Sequence, residues 1–116
     1  MSIWDRVKNR DRIGTTGRRA EAKTARRLGA RQTAGSGSGT DKGDLELPKF
    51  LAENKSTTTG SIRLTLDWLL KIRHEAEGVG KVPALTLQFT TESGAPRSGG
   101  AWVAVPERVF KELTDG

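Results

Sequence analysis

Two carboxylates and a lysine near the middle of the chain have a spacing that suits metal chemistry on phosphate esters. Asp44 is followed nine residues later by Glu53, and Lys55 comes two residues after Glu53. Two carboxylates with water molecules suit Mg²⁺, a hard cation that prefers oxygen ligands and keeps part of its hydration shell. Such an ion polarises a phosphate oxygen and lowers the pKa of a bound water. Lys55 would hold or deprotonate that water, or stabilise the charge that builds on phosphorus.

These three residues come together only if two short segments pair as strands. Residues 44–47 and 50–55 both have strand-like patterns, and Pro48 suits the turn between them because proline has no N–H to donate to a sheet. Side chains alternate along a strand, so the glutamate and the lysine share one face. In a hairpin the aspartate then lies beside the glutamate. The same pattern occurs by chance in many chains as solvated strand-edge residues, so the neighbouring segments have to support it.

A helix is predicted upstream of the acidic pair. Residues 16–28 are rich in Arg, Ala, Glu and Lys, and Gly29 stands where a helix often ends. Glu21, Ala25 and Leu28 form one stripe along this helix, which we expect to pack inward. Glu21 is therefore a candidate third carboxylate of the same site.

The second half of the chain supplies the remaining elements. In order, the pattern predicts a helix at 65–77, a strand at 84–90, a flexible loop at 91–100, a short buried strand at 101–105 and a helix that begins at Pro106. We expect Thr65 to cap the first of these helices and Trp102 to lie in the core, and we expect Trp68 in the core or a dimer interface. Inward-facing residues are predicted at Leu66, Leu69, Leu70, Ile72, Ala76, Val109, Phe110 and Leu113. The order of elements predicts an α/β fold with helices packed on a mixed sheet.

Length and composition indicate one domain without covalent cross-links. The chain has 116 residues and no cysteine, which excludes disulfides and thiolate metal sites. No apolar stretch approaches the roughly 20 residues needed to cross a bilayer. We therefore expect a cytoplasmic protein that makes no membrane contact, with a basic arm at residues 1–14 and the folded domain at residues 15–116.

Positive charge is concentrated at the start of the chain. Residues 1–43 contain 11 Lys and Arg against 4 Asp and Glu, whereas residues 44–116 contain 9 against 10. This asymmetry favours a nucleic acid partner, because basic side chains release counterions from a phosphate backbone. The glycine-rich segment 33–43 can bring backbone N–H groups close to an anion. The candidate phosphate contacts are Arg18, Arg19, Arg26, Arg27, Arg31 and Lys42, although a merely solvated basic face is the alternative.

Taken together, Glu21, the run Lys42-Gly43-Asp44 and the run Glu53-Asn54-Lys55-Ser56 resemble the core of the PD-(D/E)xK nuclease superfamily. Within it the chain is most similar to small Holliday junction resolvases of the archaeal type and their phage relatives, over roughly residues 17–113. The sequence departs from the pattern in having no proline before Asp44.

This resemblance implies a restriction-endonuclease-like fold and a homodimer that nicks branched DNA, at four-way junctions, with Mg²⁺ or Mn²⁺. It implies Asp44 and Glu53 as metal ligands, Lys55 as a catalytic residue, and Glu21 as a helix-borne acid that binds or supports the metal. A loop serine, Ser36 or Ser38, would contact the scissile phosphate.

Two other functions stay open at this stage. One is a nuclease of the same fold with another substrate, of the nicking or repair type. The other is a basic nucleic-acid-binding module without catalysis. A zinc site is not expected, since His74 is the only histidine and is predicted to be a surface residue of its helix.

Overall fold

The structure, a computed structural model, describes residues 17–33 and 44–116. Helix α1 covers residues 17–28 of this part, and it is followed by β1 (Arg31–Gln32), β2 (Leu45–Glu46), β3 (Phe50–Thr57), α2 (Leu66–Gly78), β4 (Val82–Thr90), β5 (Pro96–Ala104) and α3 (Glu107–Asp115). The predicted arm at 1–14, the loop serines Ser36 and Ser38, and Lys42 lie outside the described residues.

The five strands form one mixed sheet in the order β1-β2-β3-β4-β5. All neighbours are antiparallel except β3 and β4, which run parallel with Glu53 opposite Leu85 and Lys55 opposite Leu87. Parallel strands need a crossover connection, and α2 provides it. A mixed sheet flanked by helices confirms the predicted α/β class.

The two faces of the sheet carry separate cores. On one face Ala25 of α1 packs with Leu45, Ala52 and Ala84. The opposite face is covered by α2, and there Leu51 and Leu85 pack with Ile72 and Ala76, which come from the helix. Burying such apolar side chains contributes about 25 cal/mol per Å² removed from water. The odd-numbered residues of β3 share one face, as predicted, and the structure shows that α2 covers this face.

Two predictions about the ends of helices are confirmed. The Thr65 hydroxyl accepts a hydrogen bond from the Trp68 N–H at 3.2 Å, so Thr65 caps α2. Gly29 follows α1 with φ of 67°, a left-handed conformation that suits glycine.

Several predictions about burial are wrong. Trp102 is 62% exposed, and Phe110 and Leu113 are 63% and 75% exposed. Leu28, Leu66 and Leu70 are also exposed. Strand β5 is an edge strand on which Trp102 finds no covering element among the described residues. Of the three predicted inward residues on α3, Val109 alone is buried. A helical or alternating pattern thus marks an apolar face without showing that another element covers it.

The strand boundaries also differ from the prediction. Strand β5 begins at Pro96, so half of the predicted loop at 91–100 is extended backbone. The two-residue strand β1 was not predicted, because two residues carry no detectable periodicity. Within the part of the chain that the structure describes, no helix combines the length and the apolar composition needed to span a bilayer.

Candidate active site

Asp44 reaches the site because β2 and β3 form the predicted hairpin. Leu45 lies opposite Ala52, and the Asp44 N–H donates to the Ala52 carbonyl at 2.9 Å. The Asp44 carboxylate then turns back to the same strand, where its Oδ2 accepts a hydrogen bond from the Asn54 N–H at 2.8 Å. This bond orients the carboxylate beside the residues on either side of Asn54.

Those two residues, Glu53 and Lys55, share the face of β3 that α2 covers. Glu53 is 8% exposed, and its Oε2 lies 3.9 Å from the Lys55 ammonium nitrogen. Lys55 Nζ also lies 4.5 Å from the centroid of the Trp68 ring. A cation over an aromatic face is attracted to the ring quadrupole, so Trp68 helps to hold the lysine in place. The predicted pairing of these two side chains is confirmed.

A second lysine enters the site from α2. Lys71 Nζ lies 3.2 Å from Oε1 of Glu53 and 3.8 Å from Oε1 of Glu75. Sequence reasoning missed it, because its approach to Glu53 depends on how the crossover helix lies on the sheet. The available signal was its position three residues after Trp68, on the turn of α2 next to Lys55's aromatic partner.

Glu21 approaches the same site from the other side of the sheet. It lies on α1, is partly buried, and accepts a hydrogen bond of 3.4 Å from the Gln32 amide. Burial raises the pKa of the Glu21 carboxyl above its ordinary value, and the negative charge of Asp44 raises it further. Glu21 is therefore close enough to Asp44 for the two charges to interact, as its helical stripe predicted.

Asp44 is the electrostatic centre of the group. Burial raises the pKa of its carboxyl, and the negative charge of Glu53 adds to that rise. The hydrogen bond from Asn54 and the positive charges of Lys55 and Lys71 lower the pKa of Asp44, but the net direction is upward. The charge of Asp44 is thus opposed by that of Glu53 and itself acts on Glu21, and a divalent cation near Asp44 would relieve this repulsion.

The few carboxylates present suit a cation that takes most of its ligands from water or phosphate. Oε2 of Glu53 is buried and has no hydrogen-bond partner among the described residues, which leaves it available to a metal. In residues 17–33 and 44–116 no group of three or more His, Cys, Asp or Glu has the arrangement of a metal site. Asp44 and Glu53 are two carboxylates whose charges interact, and one or two carboxylates are the usual protein ligands of Mg²⁺.

A polar layer supports the site from the face that α1 covers. The buried Thr86 hydroxyl donates to Oδ1 of Asn54 at 2.7 Å. Asn54 in turn presents its backbone N–H to Asp44. Thr86 and Asn54 were not predicted to support the site, because their pairing depends on the parallel register of β3 and β4.

Some of the arginines predicted to contact DNA are held by other residues of the domain. Arg27 donates to Oε1 of Gln88 at 2.8 Å and to the Thr24 hydroxyl at 3.3 Å, and Arg31 pairs with Glu46 at 3.0 Å. These two side chains have partners within the domain. All four arginines of α1 are exposed, namely Arg18, Arg19, Arg26 and Arg27.

Comparisons with known proteins leave the site to be judged on its own geometry. No protein-family model, no curated protein sequence and no solved structure matches the chain.

Proposed function

We propose that this protein is a divalent-metal-dependent DNA endonuclease that cleaves phosphodiesters at four-way junctions. The observation that carries the proposal is the convergence of Asp44, Glu53 and Lys55 at one end of the β2–β3 hairpin. These residues were predicted to hydrolyse phosphodiesters from their types and spacing, from the segments around them and from the family resemblance. In the folded chain they interact electrostatically, as that chemistry requires.

The bound cation would polarise the scissile phosphate and supply a water of lowered pKa. Asp44 and Glu53 would hold it, with the Asn54 N–H keeping the Asp44 carboxylate in orientation. Lys55 keeps its ammonium group between Glu53 and the Trp68 ring, where it can hold a water or stabilise the charge that develops on the phosphate. Glu21 would act through Asp44, as a supporting acid on the side of α1.

The fold supports the same proposal. The chain runs through a helix, an antiparallel strand pair that ends in β3, a crossover helix and a parallel strand. The resemblance to PD-(D/E)xK nucleases covers the order of elements as well as the motif. A shared order of elements is a weaker argument than the site itself, because one fold serves many functions.

Charge distribution favours DNA as the substrate. All of the net positive charge lies in residues 1–43, and Arg18, Arg19 and Arg26 are exposed on α1. Helix α1 also carries Glu21, so its basic surface lies on an element that reaches the acidic site. A phosphate backbone that follows this helix would pass close to the carboxylates.

The choice of a branched substrate and of a homodimer rests mainly on the resemblance. Large apolar side chains are exposed on α2, β5 and α3, namely Leu66, Leu70, Trp102, Phe110 and Leu113. Apolar surface of this kind favours a protein partner, and a two-fold dimer would present one site to each of two strands. Sedimentation of the purified chain tests the dimer independently of cleavage.

A cleavage assay tests the proposal as a whole. Four-way junction, flap and linear duplex of matched sequence are incubated with the wild type in Mg²⁺, in Mn²⁺ or in EDTA. We expect junction cleavage with either metal and none in EDTA. Equal cleavage of all three substrates would show that the protein is not junction-specific and would favour a nuclease of the nicking or repair type.

Substitutions separate catalysis from binding. Glu53→Gln and Lys55→Ala should abolish cleavage while junction binding stays within a few-fold of wild type. The matched controls Glu112→Gln and Lys111→Ala change exposed residues of α3 and should cleave normally. Binding without cleavage by the wild type in any metal would leave a non-catalytic DNA-binding module as the function.

A further inference from the structure

Lys71 occupies a position that the proposed mechanism does not use. Its side chain is 59% exposed, yet its ammonium nitrogen lies 3.2 Å from Oε1 of Glu53, a side chain that is 10% exposed. The lysine therefore reaches from the surface of α2 onto a nearly buried carboxylate. It donates a hydrogen bond there as well as its charge.

A second carboxylate also lies close to the same ammonium group. Glu75 lies one helical turn further along α2, and its Oε1 is 3.8 Å from Lys71 Nζ. Residues four apart on a helix face one another, so a small rotation of the lysine side chain exchanges one carboxylate for the other. In the structure the Lys71 ammonium group contacts both carboxylates, and Glu53 is the closer of the two.

A carboxylate as buried as Glu53 needs a counter-charge, since an uncompensated buried charge is strongly destabilising. In the metal-free chain Lys71 and Lys55 provide that charge.

We propose that Lys71 is a displaceable counter-ion, which holds Glu53 in the metal-free protein and moves to Glu75 when a divalent cation binds. The inference rests on the proposed function, because it requires Glu53 to be a metal ligand. It makes Lys71 a positioning residue and not a catalytic one. The free protein then keeps its acidic site charged and ordered without a metal, at the cost of some metal affinity.

Lys55 is the less suitable residue for this role. It is held over the Trp68 ring and lies 3.9 Å from Glu53, beyond hydrogen-bond distance. Its side chain is 29% exposed, about half the value for Lys71. Lys55 can therefore stay in place when a cation arrives, whereas the charge of Lys71 on Oε1 of Glu53 opposes a cation at the unpartnered Oε2.

The test measures metal binding by the full-length chain without DNA. Mn²⁺ is titrated into wild type, Lys71→Met and Lys71→Arg, with calorimetry or the electron paramagnetic resonance signal of free Mn²⁺ as the readout. Methionine keeps much of the side-chain length without the charge. The dissociation constant of Lys71→Met for Mn²⁺ should therefore be lower than that of wild type by roughly fivefold or more. Lys71→Arg should bind Mn²⁺ within about twofold of wild type, because it keeps the charge.

Two further variants sharpen the test. Glu75→Gln removes the second carboxylate that Lys71 can pair with, so Mn²⁺ should bind about two- to fivefold more weakly than to wild type. Lys111→Met is the matched control, since Lys111 forms a similar i,i+4 pair with Asp115 at 3.6 Å on α3. Its Mn²⁺ affinity should equal that of wild type.

The outcomes for the inference and for the proposed function are distinct. Equal or weaker Mn²⁺ binding by Lys71→Met, with tight binding by wild type and loss of binding in Glu53→Gln, overturns the counter-ion role and leaves the nuclease proposal intact. Identical weak binding by wild type and Glu53→Gln overturns both. If Lys71→Met does not fold, Lys71→Gln takes its place, with circular dichroism as the check on folding.

Discussion

The Asn54 backbone N–H donates a hydrogen bond to Oδ2 of Asp44 at 2.8 Å. Asn54 lies between Glu53 and Lys55 in the sequence, so the strand that carries these two residues also orients the aspartate of the neighbouring strand. The geometry of the candidate site therefore depends on one short stretch of β3. Groups that hold this stretch in place are expected to affect activity without touching a substrate.

Thr86→Val is the first prediction, because Thr86 anchors that stretch. Its hydroxyl donates to Oδ1 of Asn54 at 2.7 Å in the buried layer on the α1 side. Valine has the same shape but no hydroxyl, so we expect about 1–2 kcal/mol less stability in urea unfolding. Cleavage should fall while metal dependence is kept. Thr114→Val, in exposed α3, is the control and should leave both quantities within error.

The hairpin part of the site could be predicted from sequence because its signals are local. Pro48 marks the turn, and a period of two places Glu53 and Lys55 on one face. Lys71 could not be predicted in the same way. It meets Glu53 across 18 positions of sequence, through a crossover helix whose rotation on the sheet is set by the packing of Ile72 and Ala76.

Burial was the least predictable property of the fold. The alternation that places Leu85 in the core and the apolar run that contains Trp102 look alike in sequence, yet Leu85 is fully buried and Trp102 is mostly exposed. The difference arises because β4 is a central strand and β5 is an edge strand. Strand order depends on long-range pairing, which a local pattern does not encode.

Removing the charge of Asp44 should stabilise the metal-free protein and abolish its activity. Burial and the charge of Glu53 raise the pKa of Asp44. Asparagine keeps an oxygen that can accept from the Asn54 N–H and removes the repulsion. In EDTA at neutral pH we expect a higher Tm for Asp44→Asn than for wild type, with cleavage lower by about 100-fold or more. A lower Tm would contradict the electrostatic strain inferred for this site. The exposed control Asp115→Asn should leave Tm unchanged.

The pH dependence of stability follows from the same groups. The folded-state pKa values of Asp44 and Glu21 are raised, so above the unfolded values of about 3.9 and 4.3 the folded chain binds more protons than the unfolded chain. The stability contributed by these groups is present at lower pH and is lost as pH rises through the raised values. In EDTA, thermal unfolding of wild type should show this decline. Asp44→Asn should flatten it, and saturating Mg²⁺ should oppose it.

Gly94 is expected to be essential for the contact between the β4–β5 turn and α1. Its φ is 87°, and a Cβ there would lie 2.8 Å from both the Ala20 nitrogen and the Arg19 Cβ. Gly94→Ala therefore combines backbone strain with a clash and should cost more than about 2 kcal/mol in urea unfolding. Gly99 has φ of 70° with open space around it. Gly99→Ala therefore measures the effect of backbone strain without a clash, and we expect a loss of about 1–2 kcal/mol of stability. Equal losses for the two variants would show that the close approach to α1 is relieved at little cost.

Adjacent arginines on α1 should give opposite phenotypes. Arg27 donates to buried Gln88 and to Thr24, so Arg27→Ala leaves Gln88 without a donor and should lower stability by about 1–3 kcal/mol. Arg26 is exposed and has no comparable anchor to the sheet in the described part of the chain. Arg26→Ala should leave unfolding unchanged and weaken DNA binding, with the slope of log affinity against log salt reduced by about one unit for the lost phosphate contact. An unchanged slope would remove Arg26 from the DNA surface. A smaller slope for a still-folded Arg27→Ala would show that Arg27 contacts phosphate despite its partners within the domain.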